Sequence, residues 1–133
     1  MNHKQLLFPF ILGLSLLVNS GCPAIFLGAA AGGAMGAGTV AYIGGELRST
    51  EEVTLNRGWK AAQMAMRDLE FKITDKGKDV FDAELRATGA SGKKIKVVLK
   101  KISDTRTEIK IRVGTFGDES MSQQILETIK KRF

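Results

Sequence analysis

The sequence holds few of the side chains that most enzymes depend on. Among 133 residues there is one cysteine, Cys22, and one histidine, His3. A single cysteine cannot close an internal disulfide, so any exported domain here stands on its own core. His3 lies in a segment read below as a removable leader. Without that leader no histidine remains, and Cys22 is the predicted site of acylation. This leaves no His-based acid–base chemistry, no free thiol nucleophile and no typical zinc ligand set. The serines have no histidine partner, which excludes a Ser-His-Asp triad. Gly28 to Gly38 is rich in glycine, but it does not join a strand to a Lys-Ser/Thr helix start, so it is no phosphate loop. Asp79, Asp82 and Glu84 fall close together near a strand start and read as a solvated edge. The chain therefore reads as a non-enzyme with no cofactor and no metal.

Charge is missing from a whole region. No charged residue occurs between Lys4 and Glu46. Within that gap Met1 to Lys4 is a short basic start, and Leu6 to Val18 is an apolar run of secretory-signal length. Pro9 interrupts it, which disfavours a full spanning helix. Ser20 and Gly21 are small and stand directly before Cys22. This arrangement resembles the bacterial lipoprotein signal, in which such a cysteine is acylated and becomes the mature N-terminus. It departs from the usual pattern at Asn19, where an aliphatic residue is customary. The resemblance implies a signal peptide over residues 1–21, palmitate-type acyl chains on Cys22 and a membrane-lipid partner. Each buried methylene of such chains contributes about 0.8 kcal/mol, so two or three chains anchor without a spanning segment. Pro23 stands where an inner-membrane retention signal usually has Asp. That implies the periplasmic side of the outer membrane rather than the inner membrane.

Residues 22–45 then form a membrane-proximal segment. Gly28, Gly32 and Gly36 fall four apart, and so do Ala29, Gly33, Ala37 and Ala41. On a helix each set makes a smooth stripe that allows close approach or self-association. A flexible tether is the competing reading, because each glycine costs a helix about 1 kcal/mol. Ile25, Phe26, Leu27, Met35, Val40, Tyr42 and Ile43 favour the membrane-associated helix. Gly44-Gly45 reads as a hinge before the domain.

Residues 46–133 read as one α+β domain. A first strand is expected within Tyr42 to Val53. Thr54 is the expected cap of a helix whose apolar face carries Leu55, Trp59, Ala62, Met66 and Leu69. Gly58 inside that helix marks a close approach. Four strands follow at period two. Phe71 and Ile73 define the first, and a turn is expected at Asp75-Lys76-Gly77-Lys78. Phe81, Ala83, Leu85 and Ala87 define the second, and Ile95, Val97 and Leu99 the third. Ile109, Ile111 and Val113 define the last. Asp118 caps a final helix with Met121, Ile125, Leu126, Ile129 and Phe133 on one face. The order is β-α-β-β-β-β-α: a four- to five-stranded antiparallel sheet with two helices on one face, a helix-grip-like arrangement. It is similar to C-terminal domains of an outer-membrane assembly lipoprotein, by fold alone.

The whole chain resembles a family of short bacterial lipoproteins of unknown function, DUF3568. The residues that carry this are the Gly/Ala run into Tyr42-Ile43-Gly44-Gly45-Glu46-Leu47, and Ile111 to Glu119. The resemblance implies an envelope lipoprotein and no activity.

The formal charge is +6, and loss of residues 1–21 removes one cation, Lys4. Lys72, Arg86, Lys94, Lys96, Lys100, Lys110 and Arg112 fall on the solvent face of the sheet, diluted by Glu84 and Glu108. Of these, Lys94, Lys96, Lys100, Lys110 and Arg112 are the candidate contact to an anionic surface, with a solubilising face as the plainer alternative. That face has no aromatics for stacking bases, so nucleic acid is not a partner. Thr115-Phe116-Gly117-Asp118-Glu119 reverses the chain, with Phe116 expected to plug the sheet end; the alternative is a partner-docking loop. The functional expectation is a non-catalytic envelope lipoprotein that offers its domain to an envelope partner. Two alternatives remain open. One is an inner-membrane protein with an uncleaved helical hairpin about Asn19-Pro23. The other is a small-ligand binder that uses space between helices and sheet.

Overall fold

A computed structural model of the chain describes residues 39–133. Cys22 and Gly28, Gly32 and Gly36 lie outside the described residues, as does the segment expected to be a signal peptide, residues 1–21. The elements run β1 (Thr39–Ile43), β2 (Glu46–Glu51), α1 (Leu55–Asp68), β3 (Lys72–Lys78), β4 (Asp82–Thr88), β5 (Lys94–Lys101), β6 (Thr107–Val113) and α2 (Glu119–Lys130). The six strands form one sheet in the order β1-β2-β6-β5-β4-β3, and every neighbouring pair is antiparallel. The α+β class and the two helices agree with the sequence reading. The strand count does not: the sheet has six strands rather than four or five.

The extra strand comes from the end of the Gly/Ala run. Residues 39–43 are sheet rather than helix or tether, and Gly44-Gly45 is a hairpin turn rather than a hinge. Both glycines have positive φ, 58° and 82°. A two-residue turn with both φ values positive matches the twist of the strands it joins. Val40 and Tyr42 pack against the core, and their partners across the hairpin are Ser49 and Leu47.

β3 also differs from expectation. The residues expected to turn, Asp75 to Lys78, are strand and pair with Arg86 to Ala83, after a bulge between Ile73 and Asp75. The turn comes later, so Phe81 lies outside β4 and is 67 % exposed rather than in the core. Beyond Ile73, which packs against the core, this edge strand is exposed on both faces and shows no hydrophobic alternation. Its charges and its bulge discourage pairing with another chain.

One face of the sheet carries the core. Leu47, Leu85, Val97, Leu99, Ile109 and Ile111 meet Ala61, Ala62, Ala65 and Met66 of α1 and Ile125 and Ile129 of α2, all nearly inaccessible to solvent. The side chains of helices and sheet thus fill the space between them. Alanines on α1 let the helix sit close. Gly58 lets it sit closer: a Cβ there would lie 3.0 Å from Leu99 Cδ2. Trp59 is half-buried against this core.

The helix ends follow their sequence signals. Thr54 Oγ1 accepts from Arg57 N–H at 3.2 Å, and Asp118 Oδ1 accepts from Met121 N–H at 3.0 Å. At the end of α1, Phe71 N–H donates to Met66 O at 2.8 Å and Glu70 N–H to Arg67 O at 3.0 Å. This is the two-bond closure that normally places glycine in a left-handed conformation. Here Glu70 occupies that position, at φ 58°. Glu70→Gly is accordingly expected to stabilise the domain by roughly 0.5–1 kcal/mol, read as a higher urea midpoint at unchanged slope.

Polar groups close the opposite end of the core face. Buried Ser49 donates to Glu51, and Lys130 Nζ lies 3.9 Å from the same carboxylate. Thr107 Oγ1 donates to Val53 O at 2.8 Å. Arg132 holds Asp68 with two hydrogen bonds of 2.7 Å, joining the end of α1 to the chain terminus.

Candidate functional site

The face of the sheet away from the helices carries alternate residues of the same strands. At one end, Arg86 of β4, Lys96 of β5 and Arg112 of β6 stand directly opposite one another. Three cations in one cross-strand row repel. Lys94, two residues before Lys96 and on the same face, adds a fourth. Together with Thr74, Asp75 and Thr88 these side chains line a concavity of about 560 Å³. Four cations and one carboxylate, Asp75, make it an electropositive hollow.

The members differ in how far they are committed. Glu84 accepts from Arg86 Nε at 2.7 Å and lies 3.6 Å from Lys96 Nζ. The Arg86 hydrogen bond, with a smaller attraction from Lys96, holds the Glu84 carboxyl below the usual range. Arg112 donates to Gly44 O at 3.2 Å and to Thr115 O at 2.8 Å, so its guanidinium ties the β1–β2 turn to the loop after β6. Among the described residues Lys94 has no carboxylate within ion-pair distance.

Sequence alternation correctly places Lys94, Lys96, Lys100, Lys110 and Arg112 on one face, but the structure separates them. Lys94, Lys96 and Arg112 line the hollow. Lys100 lies four residues further along β5, about 13 Å away, opposite Asp82 and Glu108. Lys110 is 3.8 Å from Glu108. The basic character is thus concentrated at one end of the face. Arg86, which alternation also places on this face, stands beside Lys96 in the pairing of β4 with β5, whereas Thr74 and Asp75 join through strand pairing that no local pattern displays. Of Asp79, Asp82 and Glu84, Asp79 accepts from Val80 N–H and Glu84 from Arg86. Among the described residues no cluster of three potential metal ligands occurs.

Beside the hollow the loop Gly114–Asp118 lines a second depression with Ser91 to Lys94. Phe116 is 93 % exposed, so it does not plug the sheet end. Its backbone packs on the hairpin turn instead, where a Cβ on Gly45 would come within 2.8 Å of Phe116 O. Gly117 approaches the same turn so closely that a Cβ would fall 2.5 Å from Gly45 Cα. Lys93 donates to Asp118 Oδ2 at 2.8 Å and pins the β4–β5 turn to the start of α2. That bond, followed by the one from Met121 N–H, lowers the Asp118 pKa. Ile43, 42 % exposed, ends β1 at the same pole.

A family model described as a protein of unknown function, DUF3568, matches residues 5–132. The chain belongs to the DUF3568 family. The match takes in residues 5–21, the Gly/Ala run and all of the domain but its last residue, so the DUF3568 unit is this entire arrangement rather than the domain alone. Both segments singled out in the sequence, Tyr42–Leu47 and Ile111–Glu119, meet at the Gly45–Gly117 contact of the DUF3568 fold. No curated protein matches the chain.

Proposed function

We propose that this DUF3568 chain is a non-catalytic lipoprotein of the bacterial envelope. Its anchor is acylated Cys22 at the mature N-terminus, and its location is the periplasmic side of the outer membrane. The small α+β domain is then held near a bilayer and offered to an envelope partner. The observation that carries the reading is Ser20-Gly21-Cys22 at the end of a leader that is apolar and uncharged after Lys4. The structure adds support of a different kind: from β1 onward the chain fills its own core, so the anchor has no part to play in packing it. Among the described residues no helix is long and apolar enough to cross a membrane.

Labelling cells with radioactive palmitate is expected to mark the wild-type protein, and Cys22→Ala is expected to abolish the mark. Label that survives Cys22→Ala sinks the assignment. Intact mass of the protein taken from membranes decides the alternative with an uncleaved N-terminal hairpin. Loss of residues 1–21 together with added acyl mass agrees with the lipoprotein; the full-length unmodified mass agrees with the hairpin.

A further inference from the structure

The pole of the domain at Ile43, Arg112 and Phe116 combines two kinds of surface. Phe116 is 93 % exposed and Ile43 42 %. Both belong to backbone locked by the Gly45–Gly117 contact and by Arg112, which bonds Gly44 O and Thr115 O. Their exposure is therefore built into a fixed part of the fold. Next to them lies the electropositive hollow of Arg86, Lys94, Lys96 and Arg112, and the depression beside Phe116 shares Lys94 and Gly114 with it.

We infer that this pole docks on an anionic phospholipid bilayer, with Phe116 entering the interfacial layer and a lipid phosphate held in the hollow. An acidic polymer or acidic protein segment would satisfy the cations. It would gain nothing from a lone, fixed, fully exposed phenyl ring, whereas the boundary between head groups and acyl chains takes a ring and rewards cations beside it. Thr74 and Thr88 supply hydroxyl donors at the rim of the hollow.

The chain's own length permits this. β1 enters the sheet at Thr39, paired with Thr50, and the docking pole is at its other end, where Ile43 pairs with Glu46. The two ends are about 13 Å apart along the strand. Residues 23–38 are sixteen in number. Fully extended they reach at most about 55 Å. An anchor at Cys22 therefore leaves the pole free to reach the same bilayer. The inference rests on the lipoprotein reading for delivery to a membrane, but the docking surface itself does not require acylation.

The test uses the full-length lipoprotein purified from membranes and reconstituted in vesicles that contain brominated phosphatidylcholine. One set is purely zwitterionic; the other holds about 30 % phosphatidylglycerol. Phe116→Trp introduces an indole at the docking point, and the signal of Trp59 is subtracted using the wild-type protein. Extra quenching of the new indole is expected in phosphatidylglycerol vesicles only. It is expected to vanish in high salt and in the Phe116→Trp/Lys94→Glu/Lys96→Glu variant. Lys94 and Lys96 are exposed, so the reversal leaves the core untouched, and an unchanged urea midpoint confirms it.

Protein that floats with anionic vesicles but shows no extra quenching overturns the docking and spares the anchor. Protein that does not float overturns the anchor, and quenching on mixing with anionic vesicles then decides docking by itself. Equal quenching in both vesicle types overturns the electrostatic part. Protection of the indole from acrylamide by polyglutamate as strongly as by anionic vesicles assigns the pole to an acidic polymer and overturns the lipid.

Discussion

Gly117→Ala is expected to destabilise the domain by about 3–5 kcal/mol, most of the stability of a domain this size. Two costs add. Gly117 has φ 85°, a left-handed backbone that costs a residue with a Cβ roughly 1–2 kcal/mol. The new Cβ would also sit 2.5 Å from Gly45 Cα and Gly45 O, and would press on the Tyr42 hydroxyl. Neither Gly45 atom belongs to a side chain that can swing away, so the hairpin turn must separate from the loop. Gly44→Ala and Gly92→Ala isolate the first cost, because both glycines have positive φ and nothing within 4 Å of the added carbon. Each is expected to cost about 1 kcal/mol. Urea unfolding of the three variants checks the difference. Equal losses would mean that the close approach of turn and loop contributes nothing.

The second large effect is at the seam between α1 and β5. Leu99 is fully buried, flanked across the sheet by Ala83 and Ile109. Leu99→Ala is expected to cost 2–5 kcal/mol, the usual range for emptying a core leucine site. The same substitution frees Gly58. In the wild type, Gly58→Ala gains about 1 kcal/mol of helix propensity but puts a methyl 3.0 Å from Leu99 Cδ2. With Leu99 cut back, only the gain remains and part of the cavity is filled. Gly58→Ala is therefore expected to stabilise the Leu99→Ala protein by about 1 kcal/mol more than it changes the wild type. A thermodynamic cycle on the four proteins measures this. A coupling of zero would show that the helix does not rest on Leu99.

Much of this fold is legible in the sequence where a side chain's direction follows from its spacing. Leu55, Ala62 and Met66 mark the buried stripe of α1, and Ile125 and Ile129 that of α2, because each element has one wet and one dry face. Thr54 and Asp118 are legible as caps because a lone helix N-terminus needs an acceptor there. The misreadings occur where that coupling fails. β1 is five residues long and continues a Gly/Ala run, so the alternation of Val40 and Tyr42 is too short to stand out. Asp75-Lys76-Gly77-Lys78 has turn composition, yet it forms an edge strand whose hydrogen bonds are supplied by β4. Phe81 continues the β4 alternation backward to the residue just before the strand starts at Asp82. Phe116 sits in a loop, where no period says whether a ring points in or out. The candidate site shows the same division. Alternation put seven cations on one face, Arg86 among them, but strand order decided that Arg86 meets Lys94, Lys96 and Arg112 at one hollow and that Lys100 and Lys110 do not.

The position of β2 beside β6 has a consequence for the order in which the chain can fold. Strands β3 to β6 pair with their immediate successors, and Leu85 meets Val97 only twelve positions away. Leu47 meets Ile111, sixty-four positions away. Closing the longer loop costs more chain entropy, so the meander is the part that can form early and the N-terminal hairpin the part that joins late. Until residues 107–113 are available, β2 has β1 as its single partner and Leu47 has no strand on its other side. A chain synthesised N-terminus first therefore holds its β1–β2 hairpin ready while the sheet still lacks the strand that joins it to the meander.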